Sequence, residues 1–271
     1  MEKFCALAFL LVCIAGILAQ VPPAPRDVFP GEFPSVVVVK TPERDRFCLG
    51  EVIDATHVLT SAFCVLNADR SRVFPARLVR VFGGDIATRQ ISLTRQTRVA
   101  QHIFVHENYR SHAFENNLAV IRLAEPFHLP SNAIEPAEIR TRIVPDSHVC
   151  YALNWLRPAI GVTVTDTPRL QAAEVTIRNR DLCNVERLTE PNVREDNLCM
   201  QQSNTFETLQ GDPLFCDGQL TAIHSWRWDL TQQTPIVSNL VSTQVRFHMH
   251  WIHQQLNRTQ PMPAGWNPLE Y

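Results

Sequence analysis

A chain of 271 residues with 45% hydrophobic and 19% charged side chains can fill a substantial core, and its composition does not read as disorder. A net charge of -2 and an isoelectric point near 6.5 exclude a broad cationic surface of the kind that binds nucleic acid or disrupts membranes. Positive charge is carried almost wholly by arginine, with Lys3 and Lys40 as the lysines, and arginine favours fixed, forked contacts to carboxylates and sulfates. At the N-terminus, Lys3, the apolar run 4–18 and the small Ala19 read as a signal peptide over 1–19. That run falls short of the about 20 apolar residues needed to cross a bilayer, and no other segment comes near it, so no membrane span is expected and the mature chain is expected to be secreted and extracellular. Cys5 and Cys13 leave with the signal, which leaves Cys48, Cys64, Cys150, Cys183, Cys199 and Cys216 for an oxidising compartment.

Residues 20–32 form a proline-rich lead, expected to be extended and exposed. A β-branched strand starts after Phe33-Pro34, and from there to about Leu123 short apolar runs alternate with polar turns. Strands are predicted at 36–39, 79–84, 97–100 and 118–123. Residues 125–145, with Pro126, Pro130, Pro136 and Pro145, read as a linker before a second strand-rich half. Helical periodicity is legible only near the end, where Val245, His248, Met249, Ile252 and Leu256 share one face of a helix over about 245–257. An exposed tail is expected over 259–271, and Asn257-Arg258-Thr259 is a glycosylation acceptor.

The stretch 47–64 organises the rest. Phe47-Cys48-Leu49-Gly50 opens a strand, a turn follows, and Val58-Leu59-Thr60-Ser61-Ala62-Phe63-Cys64 closes a second strand in a tight loop between cysteines. Further pieces follow in order: Asn116-Asn117-Leu118-Ala119-Val120-Ile121-Arg122-Leu123, Cys150-Tyr151-Ala152-Leu153-Asn154-Trp155, Pro213-Leu214-Phe215-Cys216, Ser225-Trp226, and a closing strand from Val241 that leads to Trp251-Ile252. In this order they resemble the chymotrypsin-like (trypsin-like) serine protease family from about Phe33 to Leu256. The resemblance implies an all-β fold of two packed six-stranded antiparallel β-barrels with a C-terminal α-helix, in one domain over 33–258. Barrel 1 would occupy about 33–124 and barrel 2 about 146–245. It also implies the pairings Cys48–Cys64, Cys150–Cys216 and Cys183–Cys199, and Phe206 stands at one position of a further family bridge.

Acyl transfer in this family uses a serine nucleophile, a histidine base and an aspartate that orients the histidine. By the resemblance, Phe63 stands at the histidine, Asn117 at the aspartate and Gln210 at the serine. Loss of the aspartate alone costs roughly four orders of magnitude in rate where the other two groups are intact. The segment Thr208-Leu209-Gln210-Gly211-Asp212-Pro213 stands where the family has Gly-Asp-Ser-Gly-Gly-Pro, so Thr208 takes the oxyanion-hole glycine and Leu209 the aspartate that receives the cleaved N-terminus in activation. Where the resembled family is cleaved after a basic residue in activation, Arg26 is followed by Asp27-Val28-Phe29-Pro30. Thr208, Ser225, Trp226 and Arg227 would line the old substrate cleft, with Arg227 in place of a glycine.

The expected function is therefore binding: a secreted serine protease homologue, a pseudoprotease, that regulates, assists or decoys an extracellular protease or innate-immune cascade through a protease, zymogen or serpin partner. A second reading is a glycan or microbial-surface binder using Arg70, Arg72, Arg77, Arg80, Arg89, Arg95 and Arg98 as an anion-binding stripe across barrel 1. A third is a hydrolase with a rebuilt site, for which His57 is a candidate base beside His102, His106 and His112. His248, His250 and His253 crowd the last helix without a matching carboxylate, so neither a metal nor a cofactor is expected.

Overall fold

Four consecutive valines favour a strand buried on both faces, and there the first barrel starts. The computed structural model describes residues 24–43, 47–87, 92–129, 131, 133–155, 169–187, 191–203, 208–230 and 237–262. The expected signal peptide, Arg89, Phe206 and residues 263–271 lie outside them. In chain order the strands are β1 (Arg26–Asp27), β2 (Val36–Lys40), β3 (Phe47–Asp54), β4 (His57–Thr60), β5 (Arg80–Gly83), β6 (Gln96–Val105), β7 (Ala119–Leu123), β8 (Val149–Trp155) and β9 (Leu170–Arg178). Helix α1 (Arg180–Glu186), β10 (Asn197–Ser203), β11 (Pro213–Cys216), β12 (Gln219–Leu230), β13 (Val237–Gln244) and α2 (Met249–Leu256) complete it.

The fold is two six-stranded antiparallel β-barrels with a C-terminal helix. Barrel 1 closes in the order β2-β3-β4-β7-β6-β5, and barrel 2 runs β8-β9-β10-β13-β12-β11 with β11 paired back to β8. Alternation along the strands sorts their side chains. In β3, Val52 enters the core of barrel 1, whereas Leu49 joins a separate apolar layer shared by both barrels. That layer contains Leu59, Phe104 and Leu118 from barrel 1, Leu153, Phe215 and Ile223 from barrel 2, and Trp251 and Ile252 from α2. Bridges Cys48–Cys64, Cys150–Cys216 and Cys183–Cys199 pin β3 to the loop after β4, β8 to β11, and α1 to β10.

Three elements differ from the sequence expectations. The lead is not simply exposed: Arg26 and Asp27 pair with Ala172 and Gln171 of β9, and Val28 is buried in the shared layer. Its backbone finds a free stretch of the β9 edge beyond β10, and Val28 gains burial there. Helix α1 was not expected, since seven residues are too few to display a helical period; Asn179 caps it by accepting from the Asp181 and Leu182 amides at 3.0 and 3.2 Å. The C-terminal helix begins as a 3-10 turn over Val245–His248 before α2. Beyond α2, Met262 packs on the shared layer and the Arg258 carbonyl accepts from Arg122 Nη1 at 2.8 Å.

Candidate functional site

β4 ends in a 3-10 turn, Ala62–Val65, which the Cys48–Cys64 bridge ties to β3. The turn holds Ala62 and Val65 inside and leaves Phe63 half-buried at the seam between the barrels. Just before β7, Asn116 adopts a left-handed conformation (φ 50), which asparagine tolerates well, and directs the next residue inward. Asn117 is fully buried: its Oδ1 accepts from the Phe63 amide at 3.1 Å and its Nδ2 donates to Ser225 Oγ at 2.8 Å. One carboxamide thus joins the two barrels. Replacing it by alanine leaves an amide and a hydroxyl without partners, and Asn117→Ala is expected to cost about 2–3 kcal/mol, read from the urea midpoint.

The third element of the site is the loop 208–212. It closes on itself, because Asp212 Oδ2 accepts from the Leu209 amide at 2.6 Å while the Asp212 amide donates to the Leu209 carbonyl at 3.1 Å. The Gly211 amide donates to the His224 carbonyl at 3.0 Å, and the His224 amide to the Asp212 carbonyl at 2.7 Å, which docks the loop on β12. Gly211 has φ +93, and a Cβ there would stand 2.7 Å from Cys64 Sγ. This close approach brings the Gln210 carbonyl within 3.1 Å of the same sulfur, so Gln210 lies beside the turn that carries Phe63. Among the described residues, Thr208 Oγ1, Gln210 Oε1 and His224 Nδ1 are buried polar atoms at the loop without a hydrogen-bond partner. Burial, helped by the charge of Arg227, pushes the His224 imidazole down to about 3, so it stays neutral.

Phe63, Asn117 and Gln210 therefore converge, together with Ser225. A phenyl ring has no lone pair to accept a proton, a carboxamide brings hydrogen bonds but no charge, and a primary amide is no nucleophile at neutral pH. Around them runs a ladder of rings and guanidinium groups. Arg70 lies 5.1 Å over the Phe63 ring and 5.3 Å over the Phe114 ring; Phe114 stacks on Trp226 at 6.4 Å; Trp226 stacks on Trp228 at 5.4 Å. Arg187 lies 4.6 Å over Trp226 and 5.2 Å over Trp228. Trp226 is buried by this stack, Phe114 is half-buried, and Arg227 is exposed. Sequence reasoning found Trp226 and Arg227 but not Phe114, Arg187 or Trp228, whose loops and strand end carry no periodic signal.

The remaining candidates scatter. His57 begins β4, about 10 Å along the strand from Thr60, where its Nδ1 faces the Asp54 carboxylate at 2.9 Å. Burial would raise Asp54, but hydrogen bonds from His57 and from Thr56 hold it at about 2. His106 lies against Trp251 and meets His248 edge-on, and burial pushes it down to about 4. The arginines of the expected stripe differ in their surroundings. Arg70 belongs to the ladder, Arg95 is paired with Asp85, and Arg98 donates to the Pro126 carbonyl at 2.7 Å; Arg72, Arg77 and Arg80 are exposed. Asn257 is exposed at the end of α2, its Nδ2 donating to the His253 carbonyl at 3.0 Å.

A sequence profile described as trypsin matches residues 25–252. The chain belongs to the trypsin family. It is 25% identical to bovine chymotrypsin-C over 77% of its own length and 78% of that protein's, and 26% identical to human kallikrein-15 over 80% and 84%. It is 23% identical to the rat transmembrane protease serine 11G over 78% of this chain, but spans only about half (49%) of that relative. Within the trypsin family, a disulfide-bonded domain of this kind is typical of extracellular proteases. Set in that family's frame, the seam between the barrels that holds Phe63, Asn117, Ser225 and Gln210 is the candidate site of this member.

Proposed function

We propose that this trypsin-family chain is a secreted, noncatalytic homologue that acts by binding protein, as a regulator, cofactor or decoy in an extracellular protease or innate-immune cascade. The observation that carries the reading is the convergence of Phe63, Asn117 and Gln210 on one seam, where a family enzyme needs base, orienting acid and nucleophile. No member of that trio accepts a proton or attacks a carbonyl, and the residues of a triad act as a unit, so partial activity through one survivor has no route. Asn117 keeps the structural half of its part, tying the loop of Phe63 to Ser225, and so the fold around the site is preserved without the charge. The apolar run 4–18 supports export. Its partner in this reading is an extracellular protease, zymogen or serpin. The test is to expose purified mature protein to a fluorophosphonate probe and a panel of peptide and ester substrates, and to crosslink it in native extracellular fluid. The expected result is neither label nor turnover, with saturable capture of a protease, zymogen or serpin; covalent labelling or turnover that survives purification would sink the proposal.

A further inference from the structure

The loop between β6 and β7 delivers Asn116 and Asn117 to the seam, and His106 ties it off at its root. The His106 amide donates to the Leu118 carbonyl at 3.0 Å, and the His106 carbonyl accepts from the Tyr109 amide at 2.9 Å. The ring adds a bond of its own, since the Asn108 amide donates to His106 Nδ1 at 3.2 Å. A backbone N–H can only donate, so Nδ1 is bare and the neutral ring carries its proton on Nε2. Asn108 passes the constraint on, because its carbonyl accepts from Asn116 Nδ2 at 2.8 Å. Asn116 holds the left-handed turn (φ 50) that sends Asn117 inward. Two hydrogen bonds thus run from the His106 ring to the residue that aims Asn117.

The surroundings of the ring disfavour charge. His106 is buried, lies 4.7 Å from the Trp251 ring of α2 and meets His248 of the preceding 3-10 turn edge-on at 5.3 Å. His248 is buried too, and its Nε2 lies 3.6 Å from Asp196, just before β10. Asp196 is shared with Arg194 at 3.4 Å, and Arg194 also reaches Glu115 of the loop at 2.7 Å. Glu107, next to His106 in the chain, accepts from Trp251 Nε1 at 2.7 Å and pairs with Arg258 at 3.4 Å. Burial is the largest influence against a proton on His106. The His248 imidazole adds to it, and the Asp196 charge opposes both without prevailing. The ring is held at about 4 in the closed loop, against the ordinary 6.5 once the loop opens to water.

We propose that His106 is an acid-operated latch on the loop 106–118, fastening the loop and with it Asn117 when neutral, and releasing both when protonated. The step is the gain of one proton from solvent on Nδ1. The new N–H then faces the Asn108 N–H, so two donors meet and the bond between them is lost. The open loop takes up the proton more readily than the closed one. Opening therefore becomes easier as the pH falls below about 6.5 and levels off below about 4. Asn117 bridges the Phe63 turn to Ser225, so freeing the loop also unties the barrels at the seam. The latch goes beyond the noncatalytic reading and stands whatever the seam binds.

Amide hydrogen exchange on the full mature protein, corrected for the intrinsic effect of pH, reads the loop directly. From pH 7 to pH 4.5 the protection of amides in 107–117 is expected to fall roughly tenfold to a hundredfold, while the strands of both barrels keep theirs. His106→Asn places an amide oxygen where Nδ1 accepts and does not titrate. It is expected to protect the loop at pH 7 as the parent does, and to keep that protection at pH 4.5. Should this variant fail to fold, His248→Gln decides. With the neighbouring imidazole gone, half-opening is expected at a higher pH than in the parent. Loop protection that stays level down to pH 4.5, or an equal fall in His106→Asn, overturns the latch. So does a half-opening pH unmoved in His248→Gln, or a loss that the strands share at the same pH.

Discussion

Stability is expected to peak near pH 6–7 and to fall from there to pH 8 by about 2 kcal/mol, a fall that Glu51→Gln removes. Glu51 lies on β3 directly between Val36 of β2 and Leu59 of β4, and these two neighbours belong to the apolar layer shared by the barrels. Its side chain has no exposure; one carboxyl oxygen accepts from Ser35 Oγ at 2.6 Å, and the other, Oε1, has no hydrogen-bond partner among the described residues. Desolvation outweighs that single bond and pushes the carboxyl up to about 8. The raised pKa sets the sign. Below the ordinary carboxylate value both folded and unfolded chains hold the proton. Between that value and about 8 only the folded chain holds it, so each pH unit removes about 1.4 kcal/mol of stability, and above about 8 the curve is flat again.

The acid side is governed by histidines with the opposite shift. His224 and His106 are pushed down to about 3 and about 4 by burial, so the unfolded chain protonates first and stability is lost as the pH falls below the ordinary imidazole value of about 6.5. The two limbs place the maximum between them. Urea unfolding from pH 4 to pH 9 reads the curve, and Glu51→Gln, nearly isosteric and able to keep the Ser35 contact, is expected to match the parent near pH 5 and to exceed it by several kcal/mol at pH 8. An alkaline limb that persists in the variant would mean that Glu51 is already ionised in the fold.

That carboxyl was visible in principle. Leu49, Glu51 and Ile53 alternate on one face of this strand, so an acid among apolar residues at period two marks a buried polar group. The barrels were legible for a related reason: the cysteines, the strand runs at 47–64 and 116–123, and the pieces at 150–155 and 213–216 each combine a local pattern with a fixed order along the chain. Asp212 was legible as well, since it stands where the resembled motif repeats glycine, although its use as an internal acceptor for the Leu209 amide needed coordinates. The ladder was not legible. Arg70, Phe114 and Arg187 sit in loops or at a helix end, their contacts span long separations, and no periodicity links them to Trp226 and Trp228. The local partners of the arginines were hidden for the mirror-image reason: proximity in sequence said nothing about Asp85 or the Pro126 carbonyl, which take up Arg95 and Arg98.

Gly211→Ala is expected to cost about 3–4 kcal/mol, against about 1 kcal/mol for Gly218→Ala. Both glycines have positive φ, +93 and +77, so both substitutions bear the strain of a left-handed alanine. They differ in surroundings. A Cβ on Gly218 meets nothing within 4 Å, whereas on Gly211 it meets Cys64 Sγ at 2.7 Å, the Leu49 carbonyl at 3.1 Å and Thr60 Oγ1 at 3.2 Å. None of these gives way easily, since the sulfur is held in the Cys48–Cys64 bridge, the carbonyl is strand backbone, and Thr60 Oγ1 already donates to that carbonyl at 2.7 Å. The excess of about 2–3 kcal/mol is thus the cost of prying the loop 208–212 away from barrel 1. It is read as a drop in the urea midpoint at unchanged slope, which separates lost stability from altered compactness. Should Gly211→Ala fall no further than Gly218→Ala, the loop does not rest on the bridge, and the placing of Gln210 beside Phe63 fails with it.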